Sequence, residues 1–417
     1  MTDSNAAIKI EKLYKVYGPH PKAALERLQS NPDAQLESGH VAALRNINLT
    51  IEAGKICVIM GLSGSGKSTL LRCINRLIDP TGGRIFVSGR EVTGAGTKEL
   101  RNIRSTMIGM VFQHFALLPH MSVIDNVAFG LKVAKVPRQE RRERATRALD
   151  LVGLGGWGDR KPSNLSGGMR QRVGLARALV MDTPVLLMDE PFSALDPLIR
   201  EEMQQELLRL QGTLNNLQGT LNKTIVFVTH DPNEAATIGD HIAILLKGQV
   251  VQEGHPQAVV LSPATDYVRD FVRGIDSLKL LSAGHVIDPA QAPLVLTGAA
   301  VAPAPSGGPW EARPVVDGEG RLLGVTERGA GSDGWSGGLT QDFLRLTPET
   351  LVAQCLDELA GRRRPVVVAQ ESGAFVGVVT TGSVVRALAS KSAGIGSKAH
   401  GDAPWSAAPA SPATVGT

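Results

Sequence analysis

Phosphate chemistry is indicated by the stretch VIMGLSGSGKSTLL, residues 58–71. Gly61, Gly64 and Gly66 are interleaved with Ser63 and Ser65 and followed by Lys67, Ser68 and Thr69. Glycines admit positive φ and close approach, so the backbone N–H groups of such a loop can wrap phosphate oxygens. A helix N-terminus behind the loop adds partial positive charge. Lys67 is placed to neutralise the β- and γ-phosphates of a nucleotide, and Ser68 to ligate Mg2+. Such a site also needs an acid at the end of a neighbouring strand. In PVLLMDEPFSALD four apolar residues run into Asp189, a candidate for Mg2+ directly or through water, and Glu190 follows as a candidate general base.

Three further pieces accompany this pair. NLSGGMRQRVGLARAL carries Ser166, Gly167, Gly168 and Gln171 in a second small-residue turn that opens a helix, another phosphate site by the same argument. One ATP needs a single cradle, so a second makes sense if it presses on a nucleotide held by another subunit. Gln113 in MVFQHFALLPHMSV follows an apolar strand and can reach metal or water, with plain surface polarity as the alternative. His230 in IVFVTHDPNEA ends another apolar run, where an imidazole can contact the γ-phosphate and the attacking water; a locally satisfied strand-end histidine is the alternative.

The elements that must position these residues are legible as a rhythm. Up to about Ile275, apolar β-branched runs (ICVIM, VLLMD, TIVFVT, HIAILL) alternate with longer helical patterns, which predicts a mainly parallel sheet wrapped by helices. From 281 to 338 the composition shifts to Ala, Pro and Gly, and 276–311 reads as a linker or degenerate segment. Residues 346–389 read as helix, strand, turn at Ser372–Gly373, strand, helix, and 391–417 as a disordered tail.

Composition bounds the rest. With 417 residues, 42% hydrophobic and 20% charged, the chain is long enough for two or three domains with real cores. It has no run of 18 apolar residues and no basic-then-apolar start, so it is expected neither to span a membrane nor to be secreted. Cys57, Cys73 and Cys355 share no metal spacing, and an odd, scattered set fits a reducing cytosol. A net charge of +4 gives no argument for nucleic acid. The densest basic stretch, PRQERRERATRALD, alternates its signs and reads as a solvated helix face laced with ion pairs.

Taken in order, the phosphate loop, Gln113, LSGGMRQR, LLMDE, SALD with Asp196, and His230 resemble the ATP-binding subunit of ABC transporters over residues 8–275. The resemblance implies a P-loop ATPase fold with a helical subdomain at about 114–180. It also implies a head-to-tail homodimer in which each ATP lies between one phosphate loop and the partner's signature turn, with Tyr17 stacking on adenine and the nearby Tyr14 as the alternative. The insert 18–41, MGLSGSGKST, FALLPHM, FSALDPLIREEMQ and DYVRDFVRG are similar to the glycine betaine, choline and proline uptake group. That likeness implies a peripheral subunit on the cytoplasmic face of the bacterial inner membrane, docked on a transmembrane permease that a substrate-binding protein serves. The competing class is a soluble ABC-type ATPase acting on nucleic acid or ribosomes; a single nucleotide-binding unit, no coiled-coil insert and the weak basic excess stand against it.

Residues 312–390 resemble a small α+β CBS-like regulatory domain whose first copy, 312–329, is degenerate. Ser383 stands where that family places a ribose-binding Asp, so nucleotide binding there is expected to be weak. One feature belongs to no motif: LQGTLNNLQGTLNK, 210–223, repeats after seven residues and reads as a duplicated surface turn or helix end away from the ATP site.

Overall fold

The structure, a computed structural model, describes residues 5–31, 34–112, 116–193, 195–217, 223–276, 280–288, 293–297, 300–301, 312–327, 339–356, 359 and 366–392. Gln113 and most of the second LQGTLNK copy lie outside these residues. So do Arg362, Arg363, Arg364 and 393–417; the helix Thr381–Ser392 runs two residues into the segment read as tail. The chain divides into two compact units, Met1–Ile275 and Asp276–Thr417.

Among the described residues the first unit is built on two sheets. One is antiparallel, with β1 (Ala6–Tyr17), β2 (Val41–Glu52), β4 (Gly82–Val87) and β5 (Arg90–Glu91) in the order β2-β1-β4-β5. The other holds β3 (Ile56–Met60), β6 (Ile108–Val111), β7 (Val185–Asp189), β8 (Thr224–Thr229), β9 (His241–Leu246) and β10 (Gln249–Gly254) in the order β10-β9-β3-β8-β7-β6. All its pairings are parallel except β10 on β9. Every residue of β3, β7 and β8 is buried, as expected for parallel strands covered on both faces.

Helix α2 (Lys67–Ile74) is held from both sheets. Its Leu70, Leu71 and Ile74 share one buried cluster with Ile8, Leu44 and Ile47 of the antiparallel sheet and with Ile59, Leu187 and Val228 of the parallel one. At roughly 1.5–3 kcal/mol per fully buried aliphatic side chain, this packing fixes the helix whose N-terminus bounds the phosphate loop. The helical layer comprises α4 (Val123–Val127), α6 (Arg138–Leu151) and α7 (Gly167–Leu179). Asn126, fully buried in α4, accepts from Leu118 N and donates to the carbonyls of Leu118 and Ser122, which pins the segment 118–122. The basic stretch is α6; it buries Ala145, Ala148 and Leu149 and carries the Glu140–Arg144 pair outside.

Helix α8 (Pro197–Leu217) contains the first LQGTLNN copy whole. Twenty-one residues span about 30 Å, so the copy lies several turns from the helix start near Asp196. Past the described gap, Lys223 is buried and donates to Asp182 Oδ1 and Thr183 O.

In the second unit, β15 (Leu344–Leu346), β16 (Val366–Ala369) and β17 (Phe375–Val379) form a three-stranded sheet, and the helix Thr381–Ser392 follows. The candidate first copy is the antiparallel pair Ala312–Val316 and Leu322–Glu327. Residues 276–311, expected to be a linker, partly belong to this core: Leu281, Ala283 and Val286 pack with Leu346, Val366 and Val379. The Ala, Pro and Gly content of the whole stretch hid these apolar residues. Asp288, buried, accepts from Thr380 Oγ1 and pairs with Arg386, so this segment supplies a carboxylate to the same Thr380 whose backbone N bonds Ser383 Oγ.

Candidate functional site

The phosphate loop turns through three positive-φ glycines: Gly61 at 149°, Gly64 at 77° and Gly66 at 105°. A Cβ on Gly61 would stand 2.3 Å from Leu245 O and one on Gly66 2.4 Å from Ala43 O, so both positions need glycine for space as well as conformation; one on Gly64 would meet nothing within 4 Å. Lys67 is buried and donates to the loop carbonyls of Gly61 (2.8 Å) and Leu62 (3.1 Å). Burial lowers the Lys67 pKa, while the nearby Glu190 and Asp189 carboxylates oppose that shift. Ser65 Oγ is buried in the loop with no hydrogen-bond partner among the described residues.

Asp189, the last residue of β7, is 1% exposed. It accepts from Ser68 Oγ at 2.7 Å and pairs with Arg72 Nη2 at 3.1 Å. Ser68 and Arg72 are four apart on α2 and so share a face. Glu190 follows with φ 43°, a left-handed conformation uncommon for a non-glycine residue, and its backbone N still bonds Val228 O. That backbone holds a carboxylate at the strand mouth, where Glu190 Oε2 lies 3.4 Å from His230 Nδ1. The His230 strand end is itself fixed: Arg200 from α8 reaches Asp231 Oδ2 at 3.3 Å, Glu234 Oε1 at 3.6 Å and Leu195 O at 3.2 Å.

The phosphate loop and Glu190 open on a cavity of about 630 Å³, lined by Ser63, Gly64, Gly66, Lys67, Ser68, Thr69 and Glu190, and on its other sides by Gln35, Leu36, His40, Val41–Ala43, Arg45 and Lys247. The second turn lies elsewhere. Ser166 caps α7 by accepting from Met169 N, and Ser166, Gly167 and Gly168 line a separate cavity of about 470 Å³ together with Trp157 and Asp196. Asp196 Oδ1 accepts from Ile199 N at the start of α8. The two linings share no residue. Gln171, expected to bind nucleotide, is 2% exposed within α7, and its Oε1 has no hydrogen-bond partner among the described residues.

Tyr14 is buried against Val16, Ala24, Leu25 and Leu28, whereas Tyr17 is 41% exposed, paired across the sheet with Val41 and covered by Lys15 Nζ 4.8 Å from its ring. Of Tyr14 and Tyr17, Tyr17 is the exposed one. Gln113 lies outside the described residues.

An ABC transporter family model matches residues 44–193, and a CBS domain model residues 339–390. The chain is 41% identical over 404 residues to the glycine betaine/proline betaine transport system ATP-binding protein ProV of Salmonella typhimurium, covering 92% of this chain and 98% of ProV. The chain belongs to the ABC transporter ATP-binding subunits. Its fold is accordingly an ABC-type P-loop ATPase joined to a CBS domain. The glycine betaine transport ATP-binding protein OpuAA of Bacillus subtilis is 39% identical, with 92% of each chain covered. Among solved structures, a dimeric post-hydrolysis ATP-binding cassette, MJ0796 bound to ADP and Pi, matches with TM-score 0.50 and 34% identity, over 60% of this chain and 98% of that one.

Several residues of this ABC subunit's site escaped the sequence reading. Arg72 was signalled by its spacing of four from Ser68. Arg200 carried no signal, because an arginine on an amphipathic helix reads as solvated. Tyr267 accepts from Leu62 N and donates to Leu245 O, both at 3.4 Å, and so braces the phosphate loop from the helix Asp266–Val272, about two hundred residues away.

Proposed function

We propose that this chain is the MgATP-hydrolysing, energy-coupling subunit of an importer for quaternary ammonium or proline-like osmolytes such as glycine betaine or choline. The observation that carries the reading is the cavity lined by Lys67, Ser68 and Glu190, with Asp189 bonded to Ser68 and His230 3.4 Å from Glu190, in a chain that matches ProV over 92% of its length. Among the described residues no cluster of three His, Cys, Asp or Glu side chains could hold a metal by itself. The Ser68 and Asp189 oxygens, 2.7 Å apart, suit Mg2+ that takes its remaining ligands from ATP and water. When bound, Mg2+ supplies charge neutralisation at the phosphates.

The chain's own residues do the rest. The loop N–H groups and Lys67 hold the phosphates, since a helix start presents unpaired donors there. Glu190 accepts a proton from water as its oxygen bonds to the γ-phosphorus and the bond to ADP breaks. His230, 3.4 Å from Glu190, orients that carboxylate and the water. Tyr17 stacks on adenine.

Because Ser166, Gly167, Gly168 and Asp196 lie in a cavity of their own, we assign them to the ATP of a second copy in a head-to-tail homodimer. No helix among the described residues is long and apolar enough to cross a membrane, so transport needs permease subunits. The dimer docks on them at the cytoplasmic face of the membrane, and a substrate-binding protein delivers solute from the other side.

The test is Glu190→Gln. It keeps ATP binding and slows hydrolysis by about two to four orders of magnitude, the usual contribution of a general base. Near-normal turnover would remove Glu190 from this role.

A further inference from the structure

We propose that Arg72 competes with the metal ion for Asp189 and so limits how tightly the site holds a magnesium nucleotide. This rests on the ATP-site reading above. Ser68 and Arg72, about one helical turn apart on α2, take one carboxylate oxygen each: Ser68 Oγ donates to Oδ1 at 2.7 Å and Arg72 Nη2 to Oδ2 at 3.1 Å. The Asp189 side chain is 1% exposed and that of Arg72 44% exposed, so the carboxylate is fixed inside the protein and the guanidinium reaches it from the solvent side.

The two donors respond differently to a metal. A hydroxyl can turn its hydrogen away and offer the same oxygen to Mg2+ as a ligand. A guanidinium keeps its charge and has no lone pair to give. Mg2+ drawn to Asp189 therefore either stands beside a cation or drives it off, and both oppose binding. The other nearby cation is engaged elsewhere, since Lys67 Nζ donates to Gly61 O and Leu62 O. When no metal is bound, Arg72 is the cation bonded to Asp189 among the described residues, and it balances a carboxylate that solvent barely reaches. The exchange serves turnover: a nucleotide held less firmly through its metal leaves sooner after hydrolysis.

The experiment is calorimetric titration of the full chain with ADP, in excess Mg2+ and separately in EDTA. Arg72→Met, which keeps an unbranched side chain and removes its charge, should tighten ADP binding in Mg2+ roughly three- to tenfold, the effect of one partly solvent-exposed charge a hydrogen bond away from a metal ligand. In EDTA the variant should bind ADP no more tightly than the unsubstituted chain. Arg72→Lys, which keeps the charge, should stay within about twofold in both conditions; a side chain that merely packs would give like results for Met and Lys. By linkage, the nucleotide-free Arg72→Met chain should unfold at a lower temperature than the unsubstituted one, and saturating ADP with Mg2+ should narrow that gap. Unchanged or weaker ADP binding in Mg2+, or an equal tightening in EDTA, would overturn the inference. If Mg2+ gives the unsubstituted chain no gain in ADP affinity, the metal-site reading itself fails, and the competition with it.

Discussion

Arg200→Met removes the guanidinium that ties the start of α8 to the strand end carrying His230. Arg200 reaches Asp231 at 3.3 Å, Leu195 O at 3.2 Å and Glu234 at 3.6 Å, with its own side chain 28% exposed and that of Glu234 6% exposed. Breaking a fully buried pair costs about 3–5 kcal/mol and an exposed one about 0.2–1 kcal/mol. The intermediate exposure places this loss at about 2 kcal/mol, a fall in Tm of roughly 4–8 °C for a unit of this size. Burial, and then Asp231, raise the Glu234 pKa, while Thr229, Arg200 and His230 lower it. A carboxyl whose folded pKa exceeds its unfolded value contributes stability below the unfolded pKa and loses it as pH rises through the folded pKa. Without Arg200 the Glu234 pKa climbs further, so the stability deficit should widen from pH 5 to pH 7.5. Adding Glu234→Gln removes the stranded charge, keeps an acceptor for Thr229 Oγ1, and should recover most of the loss. The assay is thermal unfolding by circular dichroism at both pH values, alongside ATP hydrolysis, which should fall more than ATP affinity because His230 lies between Thr229 and Asp231. A Tm within 1 °C of the unsubstituted chain, or a double variant no more stable than Arg200→Met, would refute the reasoning.

Two other perturbations follow from the architecture. Deleting Leu217–Lys223 with Asn216→Lys leaves a single LQGTLNK and retains a lysine at the position that bonds Asp182 and Thr183; ATPase and uptake should stay within a few-fold, and loss of uptake with ATPase intact would make the duplication a coupling surface. Truncation after Ile275 removes the second compact unit and none of the site residues; basal MgATP hydrolysis should persist while the salt dependence of uptake in the permease-bound complex changes, and identical salt responses would exclude a sensor role for that unit.

What was legible in the sequence was chemistry carried by short-range pattern. The glycine loop, the strand-end acids and His230 each follow an apolar run that names its strand, and parallel strands place all such ends on one edge of a sheet. The separate character of the second turn was legible too, because one nucleotide has use for one cradle. Contacts made across long sequence separations were not. Tyr267 under the phosphate loop, Arg200 beneath His230 and the insert against the ATP cavity all depend on how elements stack, which no local spacing encodes. The burial of Gln171 in α7 was not legible either, because in the sequence it reads as part of the small-residue turn. In the second unit, breaker-rich composition masked Leu281 and Val286, two core residues among many glycines and alanines.

The central claim, that each ATP is hydrolysed between the phosphate loop of one copy and the Ser166–Gly168 turn of another, has a direct measurement. Lys67→Ala disables the loop. Gly168→Asp disables the turn, since even a Cβ there would stand 2.9 Å from Ile199 Cγ2. Each variant alone should be nearly inactive, its two sites both damaged. Mixed in equal amounts and purified as heterodimers, they contain one doubly damaged site and one intact site, so hydrolysis should return to about half the unsubstituted rate if the sites act independently. Heterodimers that hydrolyse no faster than either parent would contradict the account.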